Sequence, residues 1–266
     1  MSARDFWREL QRGLTELVFP PLERCAVCDR DALRPTLALC RDCLRRLPFL
    51  APPLCSRCGR LLRLCAARDG ACRECARERF FFSRARAVCL YEGAARAYLH
   101  EVKFHRSLPL ARALAGVLAA YVREQGGFQS YEAILPVPLH ARREAERGFN
   151  QAAVLAGAVG AVLHRPVVME AAARIRQTET QSRLDRERRR ENVKAAFSIV
   201  DPGAVTGRRV LLIDDILTTG YTASECARAL LRAGAVEVGV LTLANGVLED
   251  QWLTDGSGGS KRTNSS

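Results

Sequence analysis

Residues 210–223 read VLLIDDILTTGYTA, and this stretch decides the fold. An apolar run ends in two carboxylates, Asp214 and Asp215, and two apolar residues and a short loop follow them. From Ala223 onward the spacing of the apolar residues is helical. The stretch therefore predicts a buried strand, a loop and a helix, with the acids near the carboxyl end of the strand.

The predicted loop combines two kinds of binding group. Backbone N–H groups at a helix N-terminus, with hydroxyls beside them, suit a phosphate. The adjacent acids suit a sugar diol, directly or through a hard cation. A ribose 5-phosphate carries both groups at that separation. A chance Asp-Asp in an ordinary strand–turn–helix is the alternative, but the Thr-Thr-Gly-x-Thr that follows is uncommon there. The loop residues are Thr218, Thr219, Gly220, Tyr221 and Thr222.

Eight cysteines form four CxxC pairs. The spacing C-x2-C-x11-C-x2-C is followed, after eleven residues, by C-x2-C-x13-C-x2-C. Two CxxC pairs complete the tetrahedral thiolate shell of one zinc ion, so the repeat predicts two structural zinc sites. Because the segment is short and rich in Arg and Pro, metal binding must supply much of its folding free energy. The predicted ligands are Cys25, Cys28, Cys40, Cys43, Cys55, Cys58, Cys72 and Cys75.

Three further cysteines lie outside this pattern. Cys65 is interpreted as a spare thiol, with replacement of Cys72 or Cys75 as the alternative. Cys89 and Cys226 lie in apolar segments and are expected to be small buried side chains. Disulfides are disfavoured because the sequence shows no export signal, and the protein is expected to be cytoplasmic.

The chain has 266 residues and a formal net charge of +12 at pH 7. This length allows one α/β domain and a small extra domain. No uncharged apolar run of eighteen residues occurs, so no transmembrane segment is predicted. Residues 20–79 contain thirteen arginines against seven acids, and residues 174–194 contain eight basic residues against four acids. This excess favours a polyanionic partner, although arginine-rich composition throughout is the alternative explanation.

Segments with the period of strands alternate with helical segments between residues 80 and 247. Such alternation indicates a parallel sheet covered by helices, with ligand sites beyond the carboxyl ends of its strands. This α/β part is expected to have a core of its own, independent of the Cys-rich segment. Strands are predicted over residues 86–91, 133–137, 167–170, 209–213 and 236–243, and helices over 94–103, 108–124, 151–163 and 221–233.

A second strand end carries a basic sequence, PVPLHARREAERGFNQA at residues 136–152. Arginines beside a glycine and a helix start suit an anion, and a guanidinium pairs bidentately with a diphosphate. A solvated basic entry to the next helix is the alternative.

These motifs together resemble the competence protein F (ComF) family. The resemblance rests on the Cys-rich head, Lys103-Phe104, VPLH…RGFNQ, the Arg-rich segment and IDD…TTG, and it spans residues 17–243. It implies an α/β fold: a parallel-sheet type I phosphoribosyltransferase domain preceded by a small Cys-rich zinc-ribbon domain. The implied organisation is an amphipathic helix over 1–19, a double zinc ribbon over 20–79, a phosphoribosyltransferase-like domain over 80–248 and a disordered tail over 255–266.

The resemblance also implies a role for each motif. Asp214 and Asp215 would hold the ribose and magnesium, and residues 218–222 would hold the 5-phosphate of phosphoribosyl pyrophosphate. Residues 174–194 would form a mobile loop that closes over the diphosphate. The implied pyrophosphate ligands are Arg142, Arg147, Gly148, Asn150 and Gln151, and the implied loop residues are Gln181, Arg183, Arg188, Arg189 and Asn192.

Two functions are consistent with these features. The first is a magnesium-dependent phosphoribosyltransferase-like protein, associated with DNA uptake and natural competence, whose acceptor the sequence does not identify. The second is a non-catalytic competence factor that binds single-stranded DNA and uses the site as a nucleotide or phosphate sensor. The expected partners are phosphoribosyl pyrophosphate, single-stranded DNA and proteins of the competence machinery. Arginines of the head would contact DNA, among them Arg45, Arg46 and Arg60.

Overall fold

The computed structural model describes residues 24–33, 37–62, 67–68, 70–176 and 193–246. The predicted N-terminal helix, Cys65, and the predicted tail therefore lie outside the described residues. The strands are β1 Ala67–Arg68, β2 Ala71–Cys72, β3 Arg84–Leu90, β4 Ala133–Pro136, β5 Ala172–Arg174, β6 Phe197–Ile199, β7 Arg209–Leu217 and β8 Glu237–Asn245. The α-helices are α1 Arg41–Arg45, α2 Arg73–Arg77, α3 Gly93–Phe104, α4 Leu108–Gln125, α5 Ala141–Arg147, α6 Gln151–Leu163 and α7 Tyr221–Arg232.

Four parallel strands form the central sheet, in the order β3-β8-β7-β4. Successive side chains of β7 alternate between its two faces, as the two-residue period of a strand requires. Leu211 and Ile213 belong to the core that contains α4 and α6. Val210 and Leu212 belong to the core that contains α7. The sheet is therefore covered on both faces, which explains its uninterrupted apolar strands. The predicted α/β fold with a parallel sheet is confirmed.

The Cys-rich segment covers the free edge of β3. Leu50 donates from its backbone N–H to the carbonyl of Val88, and Leu90 donates to the carbonyl of Pro48, both at 2.9 Å. Further along the strand, Ala85 donates to the carbonyl of Arg57 at 2.6 Å. These bonds satisfy backbone groups that an exposed edge strand would leave open for pairing with another chain.

The structure corrects two of the predicted elements. No strand forms over residues 167–170; Val167 makes a single parallel bridge with Ile134, and a short antiparallel pair, β5 with β6, follows instead. The basic sequence after β4 contains a two-turn helix, α5, which begins at a His140 cap and ends at left-handed Gly148. Among the described residues no helix is long and apolar enough to cross a membrane.

Candidate functional site

The acid pair lies on β7 near its carboxyl end. The strand was predicted to end at Ile213, but its pairing with β8 continues through both acids to Leu217. Asp215 is buried, and its Oδ2 accepts a hydrogen bond from Nε2 of Gln151 at 3.2 Å and lies 2.7 Å from Nζ of Lys103. Asp214 is half-buried, and its Oδ1 accepts from the Asp215 backbone N–H at 2.8 Å.

The two carboxyl groups differ in their electrostatic environment. Burial and then the neighbouring Asp215 charge raise the pKa of Asp214 to about 8. Burial would also raise the pKa of Asp215, but the ammonium of Lys103 outweighs it, so this pKa lies below its ordinary value. The pair therefore holds one firmly ionised acid beside one that gives up its proton only near neutral pH.

Lys103 is the residue of this site to which the sequence analysis gave no role. It was noted only as part of Lys103-Phe104. A buried acid needs a cationic partner, and Lys103 in the last turn of α3 was a candidate for that role. Gln151 begins α6 and donates from Nε2 to Asp215. Its predicted contact with pyrophosphate stays a prediction.

The loop between β7 and α7 has the features of an anion site. Gly220 has a φ of 87°, a conformation that favours glycine, and no side chain caps the N-terminus of α7. Buried Thr219 has a hydroxyl with no hydrogen-bond partner among the described residues. The Thr219 hydroxyl thus lies beside the positive end of a helix dipole, where an anion is favoured.

Arg147 and Arg174 lie within electrostatic range of the acid pair, and Arg143 lies within range of both arginines. Burial lowers the pKa of Arg143, and the neighbouring Arg147 lowers it further. Burial also lowers the pKa of Arg174, followed by the charge of Arg143, while Asp214 opposes the shift. Arg142, in contrast, is exposed and pairs with Glu146 at 3.0 Å. Arg143 and Arg174 are thus less exposed than Arg142, whose contact with pyrophosphate stays a prediction.

Gly148 and Asn150 connect this arginine group to α6. Gly148 adopts the left-handed conformation with φ 80° that ends α5. Asn150 caps α6 through the backbone N–H of Ala152 at 2.9 Å and donates from Nδ2 to the carbonyl of Val137 at 3.2 Å. These two residues fix the backbone between the helices, Gly148 through its left-handed conformation and Asn150 through its side-chain hydrogen bonds.

The predicted loop residues Gln181, Arg183, Arg188, Arg189 and Asn192 lie outside the described residues. The ends of this segment are described, and they lie together. β5 pairs with β6, and Nη1 of Arg176 donates to the carbonyl of Lys194 at 2.8 Å. Because Arg174 lies near Asp214, the segment between the two strands starts beside the acid pair.

The eight predicted zinc ligands gather into two clusters. Cys25, Cys28, Cys40 and Cys43 form one, Cys55, Cys58, Cys72 and Cys75 the other, and the sulfur atoms within each lie within 4.8 Å of one another. Thiolates bound tetrahedrally to one zinc at about 2.3 Å lie roughly 3.8 Å apart, so both clusters fit the ion. Each cluster is complete without Cys65. Cys89 and Cys226 are fully buried, as predicted.

The clusters contact different parts of the α/β fold. The first lies beside α3, where the hydroxyl of Tyr98 donates to the carbonyl of Cys43 at 3.3 Å. The second belongs to the same apolar core as Phe80, Phe82 and Tyr221. Cys25, Cys40 and Cys43 of the first cluster likewise share an apolar core with α3 and α4. The expectation of a core independent of the Cys-rich segment is therefore wrong for both clusters.

Arg60 also departs from its predicted role. It was expected to contact DNA on the surface of the head, but it is only 5% exposed. Its guanidinium pairs with Glu74 and donates to the carbonyl of Thr218, so it is unavailable to nucleic acid.

Comparison with known families agrees with this architecture. The double zinc ribbon domain model matches residues 14–76, and the phosphoribosyl transferase domain model matches residues 141–251. The fold and its clusters thus define a double zinc ribbon joined to a phosphoribosyltransferase-type α/β domain.

Individual relatives make the assignment more specific. DNA utilization protein YhgH of Escherichia coli (strain K12) is 35% identical over 222 residues, covering 82% of this chain and 88% of that protein. Competence protein F of Haemophilus influenzae is 31% identical over 225 residues, covering 83% of this chain and 96% of that protein. The chain therefore belongs to the competence protein F family. The structure of glutamine phosphoribosylpyrophosphate amidotransferase from B. subtilis aligns with a TM-score of 0.38 at 18% identity, over 54% of this chain and 30% of that one.

Proposed function

We propose that the carboxyl end of β7 binds phosphoribosyl pyrophosphate together with magnesium. In this proposal Asp214 and Asp215 face the ribose and the cation, and residues 218–222 bind the 5-phosphate. Arg147, with Arg143 and Arg174 beside it, offsets the charge of the pyrophosphate. Lys103 and Gln151 orient Asp215.

One observation carries the proposal: the buried hydroxyl of Thr219, without a partner among the described residues, lies beside the uncapped start of α7. Leaving a buried polar group unsatisfied costs about 1–3 kcal/mol. A phosphate oxygen would accept a hydrogen bond from this hydroxyl and would lie at the positive end of the α7 dipole.

The acid pair fits magnesium by its chemistry. The cation prefers carboxylate oxygens and keeps several of its waters, so it needs only one or two protein ligands. When bound, it would neutralise charge on the diphosphate and help it leave. The residues of this chain would orient the sugar and exclude water from it.

We further propose that the chain transfers the phosphoribosyl group to an acceptor in an activity associated with DNA uptake. The relatives named for DNA utilization and competence support this association. Exposed Arg45 and Arg46 on α1 are candidates for contacts with single-stranded DNA. The non-catalytic alternative, a DNA-binding factor with a phosphate sensor, predicts ligand binding without turnover.

Isothermal titration calorimetry tests binding, and release of pyrophosphate tests transfer. Wild-type protein titrated with phosphoribosyl pyrophosphate should show binding that depends on magnesium. Pyrophosphate release over hours in the presence of candidate bases, nucleosides and DNA would then separate the enzyme from the sensor. Absence of heat at high ligand concentration, with and without magnesium, would contradict the proposed site.

A further inference from the structure

The two zinc clusters repeat one structural unit. In the first, Cys25 donates from its backbone N–H to the carbonyl of Arg30 at 2.6 Å, and Arg30 pairs with Asp42 at 3.1 Å. The second cluster has the same two contacts at the equivalent positions of its own sequence. Cys55 donates to the carbonyl of Arg60 at 2.7 Å, and Arg60 pairs with Glu74 at 3.3 Å. In both units the acid lies between the two cysteines of the second CxxC pair.

The two ion pairs differ in their exposure. The side chains of Arg30 and Asp42 are 71% and 69% exposed, whereas those of Arg60 and Glu74 are 6% and 10% exposed. Burying an ion pair costs desolvation free energy and does not by itself stabilise a fold. The ion pair with Glu74 therefore does not by itself explain why Arg60 is buried. The other contact of its guanidinium offers an explanation.

The guanidinium also contacts residues 218–222, the loop proposed to bind the 5-phosphate and called the phosphate loop below. The Nη2 atom of Arg60 donates to the carbonyl of Thr218. In a trans peptide the C=O and the following N–H point in opposite directions. By holding the Thr218 carbonyl, Arg60 fixes the peptide plane between Thr218 and Thr219, so that the N–H of Thr219 points away from the guanidinium.

Further contacts join the same two parts of the molecule. The hydroxyl of Tyr221 donates to Oε1 of Glu78 at 3.3 Å, and Nδ2 of Asn245 donates to the carbonyl of Cys58 at 3.0 Å. A Cβ atom on Gly220 would lie 3.3 Å from the ring of Phe80. The loop is thus fixed on one side by residues of the second ribbon and of the segment that follows it.

We propose that Arg60 is a positioning residue, through which the second zinc site sets the phosphate loop for binding. Zinc fixes Cys58 and Cys72, the neighbours of Arg60 and Glu74, and the ion pair then aims the guanidinium at Thr218. The first zinc site has the same unit facing solvent and plays no part in ligand binding. This inference rests on the proposed function, and its test separates the two.

The test compares two matched double variants. Arg60→Met/Glu74→Gln removes the buried pair without leaving a lone buried charge, and Arg30→Met/Asp42→Asn removes its exposed counterpart. With two zinc ions retained, the first variant should bind phosphoribosyl pyrophosphate and magnesium about tenfold more weakly than wild type by calorimetry. The second should bind as wild type does. Arg60→Lys should restore part of the affinity, because its ammonium can donate to the same carbonyl.

A ligand-free readout accompanies the titration. Hydrogen–deuterium exchange of the peptide spanning residues 217–222 should be faster in Arg60→Met/Glu74→Gln than in wild type or in the Arg30 variant. Wild-type affinity together with unchanged exchange in the Arg60 variant would overturn the proposal. If wild-type protein fails to bind the ligand, the proposed function is wrong, and the exchange comparison alone decides on Arg60.

A measurement on wild type covers the case in which the Arg60 variant does not fold. Coupling between two sites is reciprocal. If zinc at the second site strengthens binding of the ligand, the bound ligand should strengthen binding of that zinc ion. Phosphoribosyl pyrophosphate with magnesium should slow the release of one of the two zinc ions to a chromogenic chelator and leave the other unchanged. If each zinc ion were released at the same rate with the ligand as without it, the proposal would be overturned.

Discussion

Thr219 and its neighbours show how single residues prepare the site for a ligand. The Thr219 hydroxyl is buried without a partner among the described residues, whereas the hydroxyl of Thr206 lies 2.8 Å from two backbone carbonyl oxygens and can donate to either. An unsatisfied group of this kind lowers stability in the free protein, and in the proposed site a phosphate oxygen would satisfy it. The sequence pointed to Thr219 through its motif, but only its burial distinguishes it from other threonines.

Replacing these two threonines by the isosteric valine should separate binding from stability. Thr219→Val should weaken phosphoribosyl pyrophosphate by about fivefold to tenfold, since a phosphate oxygen loses a donor, and should leave the melting temperature unchanged or higher. Thr206→Val should lower the melting temperature by a few degrees and leave affinity unchanged. Calorimetry and thermal melting measure the two effects; equal affinity of Thr219→Val and wild type would remove the hydroxyl from the site.

Lys103 should stabilise the folded chain through Asp215. The pair lies at 2.7 Å with side chains 18% and 7% exposed, so Lys103→Met should lower the free energy of unfolding by about 3 kcal/mol at pH 7. The folded-state pKa of Asp215 is below its ordinary value of 3.8, so this contribution is present above that pH and is lost as the pH falls through the folded-state pKa.

Urea denaturation, in buffer without added metal, measures the free energy of unfolding of Lys103→Met and of wild type at pH 7 and below pH 4. The difference should narrow at the lower pH. Adding Asp215→Asn to Lys103→Met should recover part of the loss, because the uncompensated charge is then removed. A difference that stays the same across this pH range would contradict the assigned partner.

At the scale of elements, β7 and the CxxC pairs show what the sequence could predict. Apolar periodicity placed the central strands and long helices to within a few residues, because burial on two faces leaves a clear pattern. The continuation of β7 through Asp214 and Asp215 was missed, because polar residues within a strand are tolerated where a partner such as Lys103 is supplied by another element. The two-turn helix α5 was missed because it is short and largely exposed, so no apolar stripe marks it.

The two zinc sites should differ in what their loss does to the rest of the fold. Metal analysis should find two zinc ions per chain, and Cys28→Ser and Cys55→Ser should each lose one. Cys55 is fully buried in the core that contains Phe80 and Tyr221, so its loss should lower the melting temperature of the whole α/β fold. Cys28 is exposed, and its loss should have a smaller effect.

The comparison needs zinc analysis and thermal melting followed by circular dichroism. Finding one zinc or none in protein purified without chelator would contradict the two-site assignment. If Cys55→Ser melted as Cys28→Ser does, the second cluster would not be part of the shared core.

At the scale of the whole molecule, the Cys-rich head and the α/β fold are interlocked. The sequence predicted both parts and the two sets of zinc ligands, because CxxC spacing and the acid–threonine loop are local patterns. Their contact could not be predicted, because the pairing of Arg60 with Thr218 joins residues far apart in the chain and Arg60 has the same local sequence setting as exposed Arg30. The positive charge of Arg60 led to the prediction that it contacts DNA, and its burial in the structure shows that prediction to be wrong.

The remaining basic surface should bind single-stranded DNA with a strong dependence on salt. Arg45 and Arg46 lie exposed at the end of α1, and neutralised phosphates release counterions, so affinity should fall log-linearly with salt. Arg45→Glu/Arg46→Glu should weaken DNA binding and leave phosphoribosyl pyrophosphate binding unchanged. Fluorescence anisotropy across a salt series measures this; an affinity that is flat with salt, or untouched by the double variant, would argue against a nucleic-acid surface on the head.

The most direct test of the account is calorimetric titration of phosphoribosyl pyrophosphate, with and without magnesium, into wild type and Asp214→Asn/Asp215→Asn. The double variant keeps the shape of both side chains but removes the charges that would hold ribose and cation. Circular dichroism and zinc analysis establish that it is folded. The account predicts magnesium-dependent binding to wild type and an affinity at least about a hundredfold lower in the variant. Equal affinity in the two proteins would contradict the assigned site.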